Sequence, residues 1–504
     1  MRALRHLSDR FLLLALLILI SALAAQAGMG AGGDDLRLQA LAMTPAARAD
    51  LSQLEEIPCY TISLQLDLEG LSYSGTETLH YTNTGTTALE ELYFRLYPNG
   101  DKTYGAGALH VSEIRVGNTA LQPMLELEGT ALRVPLPEAL APGAEVVVTL
   151  EFEGQVPRDF ASRSGESYGI FNYSQGVLTL ANWYPLLAVR DEEGWRLERF
   201  YSWGDAVTSA VAFYDVTITA PDEVVVIASG SEICREPLAD GRMKHRFITG
   251  PVRDFVVSAS ARFQRRLAQV GETVINSYFF PEHAAGGGAA LTVAQNALGL
   301  FNERYGLYPY AELDVVETPL PWPGGVEYPG VVLISDKLYY TPNPLGLDFA
   351  MIISHEVAHQ WWYGVVGNDV IREPWLDEAL ATYSSGIYVQ TFLGLGAYGQ
   401  LRQSWEAAYH RARAANPAPI TASVDQFTSN TDYYGIVYCG GALFYEALHA
   451  EIGDTAFFTG LQRYFQGFKY KLTTTEDLLQ AFQEAAGRDL SRFYAEWLYA
   501  PVGD

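Results

Sequence analysis

The feature that most constrains this 504-residue chain is a change of hydrophobic period partway along it. From Ile57 to about Phe263, apolar and polar residues alternate in short runs: YTISLQLDLEG (60–70), GTETLHYTNTG (75–85), ELYFRLYP (91–98), EVVVTLEFEG (145–154), FYDVTITAP (213–221) and DEVVVIASG (222–230). Gly, Asn, Asp and Pro break the runs, which is how half-buried antiparallel strands read. Past PEHAAGGGAA (281–290) the period becomes helical. It is so in ALTVAQNALGLFNERYG (290–306), then at 348–363, 374–394, 397–415, 438–452, 456–467, 475–486 and 490–498. A short strand-like section lies at 313–335. The pattern predicts an α+β chain: an antiparallel β-rich, saddle-like or sandwich-like domain at 56–268, then a mainly α-helical domain at 269–504 with a small edge sheet.

The N-terminus has its own logic. Arg2, Arg5 and Arg10 precede FLLLALLILISALAA, an apolar run of 15 residues that leads into an A-x-A site ending at Ala27. These are the parts of a secretory signal peptide (1–27), and the run is short for a membrane span of about 20 residues. The expectation is an exported protein, periplasmic, extracellular or at the cell surface. A membrane would be a partner only if this segment stayed uncleaved as an anchor. Residues 28–55 read as a linker. The formal net charge of −26 argues against nucleic acid, which needs a basic face. Cys59, Cys234 and Cys439 are too few and too scattered for a Cys-rich zinc site or a disulfide framework.

The residues that carry chemistry lie in the helical half. ISHEVAHQWW contains His355-Glu356-x-x-His359. On a helix, four residues fall about 40° past one full turn, so His355 and His359 project from one face. Glu356, about 100° round, reaches a water on a shared metal without ligating it. In EPWLDEALATY, Glu378 falls 19 residues after His359, within a second helical pattern. A helix, a turn and an antiparallel return bring it beside the histidines. Two imidazoles, one carboxylate and an open position form a catalytic rather than structural zinc shell, in which a carboxylate takes the proton of the zinc water.

H-E-x-x-H followed after 18 residues by Glu resembles the signature of the M1 zinc aminopeptidase family. HEVAHQWW and PWLDEALATY resemble its HExxHQW and WLNEGFATY blocks. GGVEYPG, within PWPGGVEYPG (321–330), is similar to its GxMEN block, and IVYCGGALFYEAL to its YxKG block. RDLSRFYAEWL resembles the end of the family's catalytic domain. The resemblance implies a thermolysin-like catalytic domain in a short form lacking the family's C-terminal helical domain. It implies one zinc ion on His355, His359 and Glu378, with Glu356 as general base and Tyr438 as hydrogen-bond donor to the oxyanion. Tyr433 matches another tyrosine lining the site. Glu327 would bind the free α-amine of a peptide, since an ammonium taken out of water needs a carboxylate. Gly324 and Gly325, with Val326, would let substrate backbone lie along this strand as an added strand. Asp377 is either a group packed behind the ligand Glu378 or a solvated helix acid. Val326, Tyr328 and Gly440 stand where the family has Met, Asn and Lys. The N-terminal half offers only Asn182, in LANWYPLLAVRD (180–191), as a second polar group for the amine.

The expected function is therefore an exported zinc aminopeptidase acting on peptides with a free N-terminus. The alternatives are a zinc endopeptidase or small-substrate hydrolase on the same scaffold, and a non-catalytic module that binds peptides at the surface.

Overall fold

Alternation along Cys59–Asp67 becomes alternation of burial: Tyr60, Ile62, Leu64 and Leu66 face inward and their neighbours outward. The computed structural model describes residues 36–54, 56–161, 167–322, 324–340 and 346–499; the signal segment lies outside them. In the β-rich half an eight-stranded sheet runs Ser231–Pro237, Arg242–Ile248, Phe213–Pro221, Cys59–Asp67, Ser72–Thr82, Glu145–Gln155, Ala108–Val116, Thr119–Leu121. One pairing is parallel, Cys59–Asp67 with Phe213–Pro221. A period of two does not encode strand direction, so alternation could not mark this one parallel pair in an otherwise antiparallel sheet. Two four-stranded sheets and the two-stranded pair Arg190–Asp191 with Gly194–Trp195 complete it. Aromatic side chains form much of the core, with Tyr60 stacked on Tyr214 (centroids 4.8 Å apart) and Trp183 edge-on to Tyr184.

The second half begins earlier than the helical period suggests. Val257–Ser260 still pairs with strands of the first half, whereas Gln264–Val270 pairs with Thr273–Phe279. The chain thus changes sheets at 261–263, and a boundary at 268/269 would cut a strand. The hairpin is strand like the segments before it, so the switch to a helical period did not mark the change. Its five-stranded sheet has the order Gln264–Val270, Thr273–Phe279, Glu312–Thr318, Val331–Ser335, Gly325–Tyr328. The three central strands are parallel and the last is an antiparallel edge, with Glu327 opposite Val332. Helix Ala284–Arg304 crosses behind it. Gly287 allows that close approach, because a β-carbon there would meet the Phe279 ring at 2.1 Å.

Helices Leu347–Ala358, Trp375–Phe392, Leu395–Ala415, Gly441–Phe468 and Thr475–Ala486 follow. Gly453, with φ of 79°, breaks the fourth where the sequence pattern shows two segments. Among the described residues no helix is long and apolar enough to cross a membrane. Residues 36–54, expected to be linker, are instead folded onto the second half. Met43 is fully buried, the Thr44 and Ala311 amides donate to Pro309 and Ala42 carbonyls at 2.8 and 2.9 Å, and Lys469 pairs with Asp50 at 3.2 Å. Single anchoring residues such as Met43 and Leu51 leave no period to read.

Candidate active site

His355 sits one turn before the end of helix Leu347–Ala358 and His359 caps it, so both imidazoles leave the same face. Glu378 stands in the first turn of Trp375–Phe392, packed against that helix. The three donor atoms meet. His355 Nε2 lies 3.2 Å from Glu378 Oε2, His359 Nε2 lies 3.3 Å from it, and the two nitrogens are 3.1 Å apart. Tetrahedral zinc with bonds of about 2.0–2.1 Å places its ligand atoms roughly 3.3–3.4 Å apart, so this triangle fits one face of such a site. The opposite edge of His359 is fixed as well: Nδ1 lies 3.0 Å from the Trp362 carbonyl, to which it donates, so Nε2 is the nitrogen turned toward the cluster.

Protonation supports the same reading. Burial alone would raise Glu378, but hydrogen bonds from His355 and His359 hold it down at about 2. Burial lowers His355, whereas the Glu327 and Glu378 carboxylates outweigh burial at His359 and hold it well above the ordinary imidazole value. One cationic imidazole beside one neutral one is a cluster that keeps a proton where a divalent cation can replace it.

Glu356 is 5% exposed, and its Oε2 has no hydrogen-bond partner. Burial raises its carboxyl well above the usual range, and the charge of Glu327 raises it further. The edge strand Gly325–Tyr328 runs beside it. The two glycines of this strand end also face protein side chains. A β-carbon on Gly325 would meet Glu356 Cγ at 2.5 Å, and one on Gly324 would meet Trp322 Nε1 at 2.6 Å. Gly325 makes room for Glu356 itself. Glu327 Oε1 lies 4.0 Å from His359 Nε2, and its side chain is 11% exposed. Val326 is half-buried on the same wall.

Tyr433 ends a short helix held by a capping box of Ser429 and Asp432, and the π-helical turn Tyr434–Gly440 follows. The widened turn presents Tyr438, whose ring stacks on His355 with centroids 5.8 Å apart. The Tyr438 hydroxyl donates to Glu378 Oε1. Tyr433 is buried with an unpartnered hydroxyl. Asp377 is no solvated acid: it is 1% exposed, accepts the Glu378 amide on Oδ1 at 2.8 Å, and burial pushes it up to about 8. Among the described residues it makes no hydrogen bond to either histidine.

His355, Glu356, Glu378, Glu327, Tyr433 and Tyr438 line one cleft of about 610 Å³ between the halves. Two further carboxylates, both from the β-rich half, join them: Asp205 and Asp254. No sequence signal marked either. Asp205 sits in an aperiodic loop and Asp254 follows Arg253 in a run without a motif. Asn182 also reaches the wall, but its Oδ1 accepts a hydrogen bond from the Tyr104 hydroxyl at 2.8 Å.

Residues 289–497 match the peptidase family M1 domain. The chain is 29% identical over 223 residues to aminopeptidase N of Streptomyces lividans, a match covering 42% of this chain and 26% of that protein. It is 24% identical over 311 residues to aminopeptidase 2 of Candida albicans, covering 57% of this chain and 32% of that one. The matches thus span about a quarter to a third of those relatives' length. In fold the chain is similar to the crystal structure of a mutant M1 zinc metallopeptidase from Deinococcus radiodurans. The TM-score is 0.64 at 18% identity, covering 89% of this chain and 95% of that one.

Proposed function

We propose that the chain is a zinc-dependent aminopeptidase of peptidase family M1, whose domain matches residues 289–497, and that it holds one ion on His355, His359 and Glu378. The observation that carries this reading is the convergence of those donors with Glu356 and Glu327 in a single cleft. Zinc bound there supplies Lewis acidity and lowers the pKa of a water molecule. Glu356, whose carboxyl burial makes a stronger base, takes the proton of the attacking water and passes it to the leaving amine. Tyr438 exchanges its bond to Glu378 for one to the developing oxyanion. Glu327 holds the substrate ammonium at the strand edge, which fixes the first peptide bond over the donors. The unpaired edge of Gly325–Tyr328 offers backbone groups for the peptide to add as a strand.

Hydrolysis of an unblocked peptide tests this. It should stop with a chelator, return with zinc, and be lost in Glu356→Gln without loss of metal; full activity in that variant contradicts the mechanism. Export is part of the proposal and rests on the basic and apolar segments that precede Ala27. N-terminal sequencing of protein from fractionated cells tests it, with a mature start at Gly28 outside the cytoplasm as the expected result and an intact cytoplasmic chain as the contrary one.

A further inference from the structure

We infer that Arg253, from the β-rich half, is a positioning residue for the proposed zinc ligand His359, acting through the Trp362 carbonyl. This rests on the metal reading above and names a residue that no sequence motif marks. The His359 imidazole is oriented by its Nδ1 bond to the Trp362 carbonyl at 3.0 Å. That carbonyl belongs to the peptide unit joined to the Tyr363 nitrogen, so rotation about the Tyr363 N–Cα bond turns it. Tyr363 holds this rotation at a φ of 104°, which residues other than glycine rarely adopt. Relaxation to negative φ would swing the carbonyl off the imidazole. Strain of this kind persists only where the surroundings impose it. Three contacts do so. The Tyr363 amide donates to the Val366 carbonyl at 2.7 Å, its hydroxyl donates to Asp254 Oδ2 at 3.4 Å, and its carbonyl accepts Arg253 Nε at 2.5 Å.

The surroundings of Arg253 match this role. It is 1% exposed, and among the described residues it pairs with no carboxylate. Its donors go to main-chain carbonyls: Nε to Tyr363, Nη1 to Ser209 at 2.9 Å, and Nη2 to Lys471 at 2.7 Å and Val365 at 3.5 Å. Burying a guanidinium without a counter-charge is costly, so these bonds must offset that cost. Tyr363 and Val365 lie in the turn that follows His359, and the Lys471 carbonyl also accepts the Gly367 amide at 3.0 Å, at the end of that turn. A β-carbon on Gly367 would lie 2.1 Å from Arg253 Cζ, so the turn closes directly onto the guanidinium. The bonds therefore run from the β-rich half to the peptide unit behind the histidine. The donor triangle is set by the packing of the two halves as well as by the helix that bears His355 and His359.

The test measures zinc affinity of the full chain by competition with a chromophoric chelator, and the visible spectrum of the cobalt(II)-loaded chain, whose bands follow ligand geometry. Neither needs turnover. Arg253→Met removes all of these donors. It should weaken zinc binding by about 10–100-fold, the usual loss for an outer partner of a ligating histidine, and shift the cobalt bands. Arg253→Lys keeps one charged donor group and should recover part of both. Trp203→Phe cuts a different bond between the halves, Nε1 to the Val424 carbonyl at 3.0 Å, and should leave both at wild-type values. Wild-type affinity and bands in Arg253→Met overturn the inference; if thermal melts show that this variant does not fold, wild-type values in Arg253→Lys do so. Equal weakening in Trp203→Phe also overturns it, as a general loosening of the interface. A wild-type chain that binds no zinc sinks the metal reading and this inference with it, whereas zinc binding indifferent to Arg253 sinks this inference alone.

Discussion

Gly325 and Glu356 are in contact across the cleft wall: a β-carbon on Gly325 would lie 2.5 Å from Glu356 Cγ and 2.6 Å from Oε1. The edge strand that bears Glu327 is therefore also the surface that sets the position of the base. In the proposed function, this stretch of four residues, Gly325–Tyr328, links the group that binds the chain end to the group that moves the proton.

Gly325→Ala should therefore damage chemistry rather than metal binding. The added methyl displaces the Glu356 carboxylate, and a misplacement of about 1 Å costs on the order of a hundredfold in rate. Steady-state kcat beside zinc stoichiometry checks this: kcat should fall by about that factor with metal retained.

Tyr438→Phe removes a donor that now serves Glu378 Oε1. Loss of one fixed oxyanion donor costs roughly 10²–10³ in kcat. Because the same hydroxyl steadies the carboxylate proposed as a zinc ligand, zinc affinity should also weaken, by up to about 10–100-fold as for other outer hydrogen bonds to ligands. Rate measurements at saturating zinc separate the two effects.

Zinc affinity should fall as pH falls. His359 holds its proton well above the ordinary imidazole value because Glu327 and Glu378 outweigh burial, and it must lose that proton to ligate. Affinity thus climbs with pH until His359 of the metal-free protein is neutral, then levels. Competition with a chromophoric chelator across the pH range reads this directly; a flat profile contradicts it.

Asp254 makes an opposite kind of prediction, about stability. Burial pushes its carboxyl up to about 7 from an ordinary value of 3.8. Between those values the folded state binds more protons than the unfolded one, so stability falls as pH rises through the window and levels above about 7. At about 1.4 kcal/mol per pKa unit the full effect is at most a few kcal/mol. Asp254→Asn should flatten the slope of Tm against pH between about 4 and 7, which thermal melts at several pH values would show.

The site was legible where function depends on spacing along one helix. His355, Glu356 and His359 follow from the helical period, and Glu378 from a return of fixed length. The division into a β-rich and a helical half was legible for the same reason. The contact of Gly325 with Glu356 was not legible, because sequence shows that a side chain is missing and not what fills the space. Asp205 and Asp254 were not legible at all. They reach the cleft through the packing of two halves, Asp205 from an aperiodic loop pinned by Trp203 and Arg253. The linker reading failed at Met43 because one buried side chain creates no period.

The central claim is that a free amine, held at Glu327, selects the bond cut over His355, His359 and Glu378. Comparing kcat/KM of the zinc-loaded protein for one peptide with a free and with an acetylated N-terminus tests it most directly. The account predicts a preference for the free peptide of about a hundredfold or more, reduced in Glu327→Gln, since a lost charged partner costs roughly 1.5–3 kcal/mol or more. Equal rates on the two peptides would contradict it.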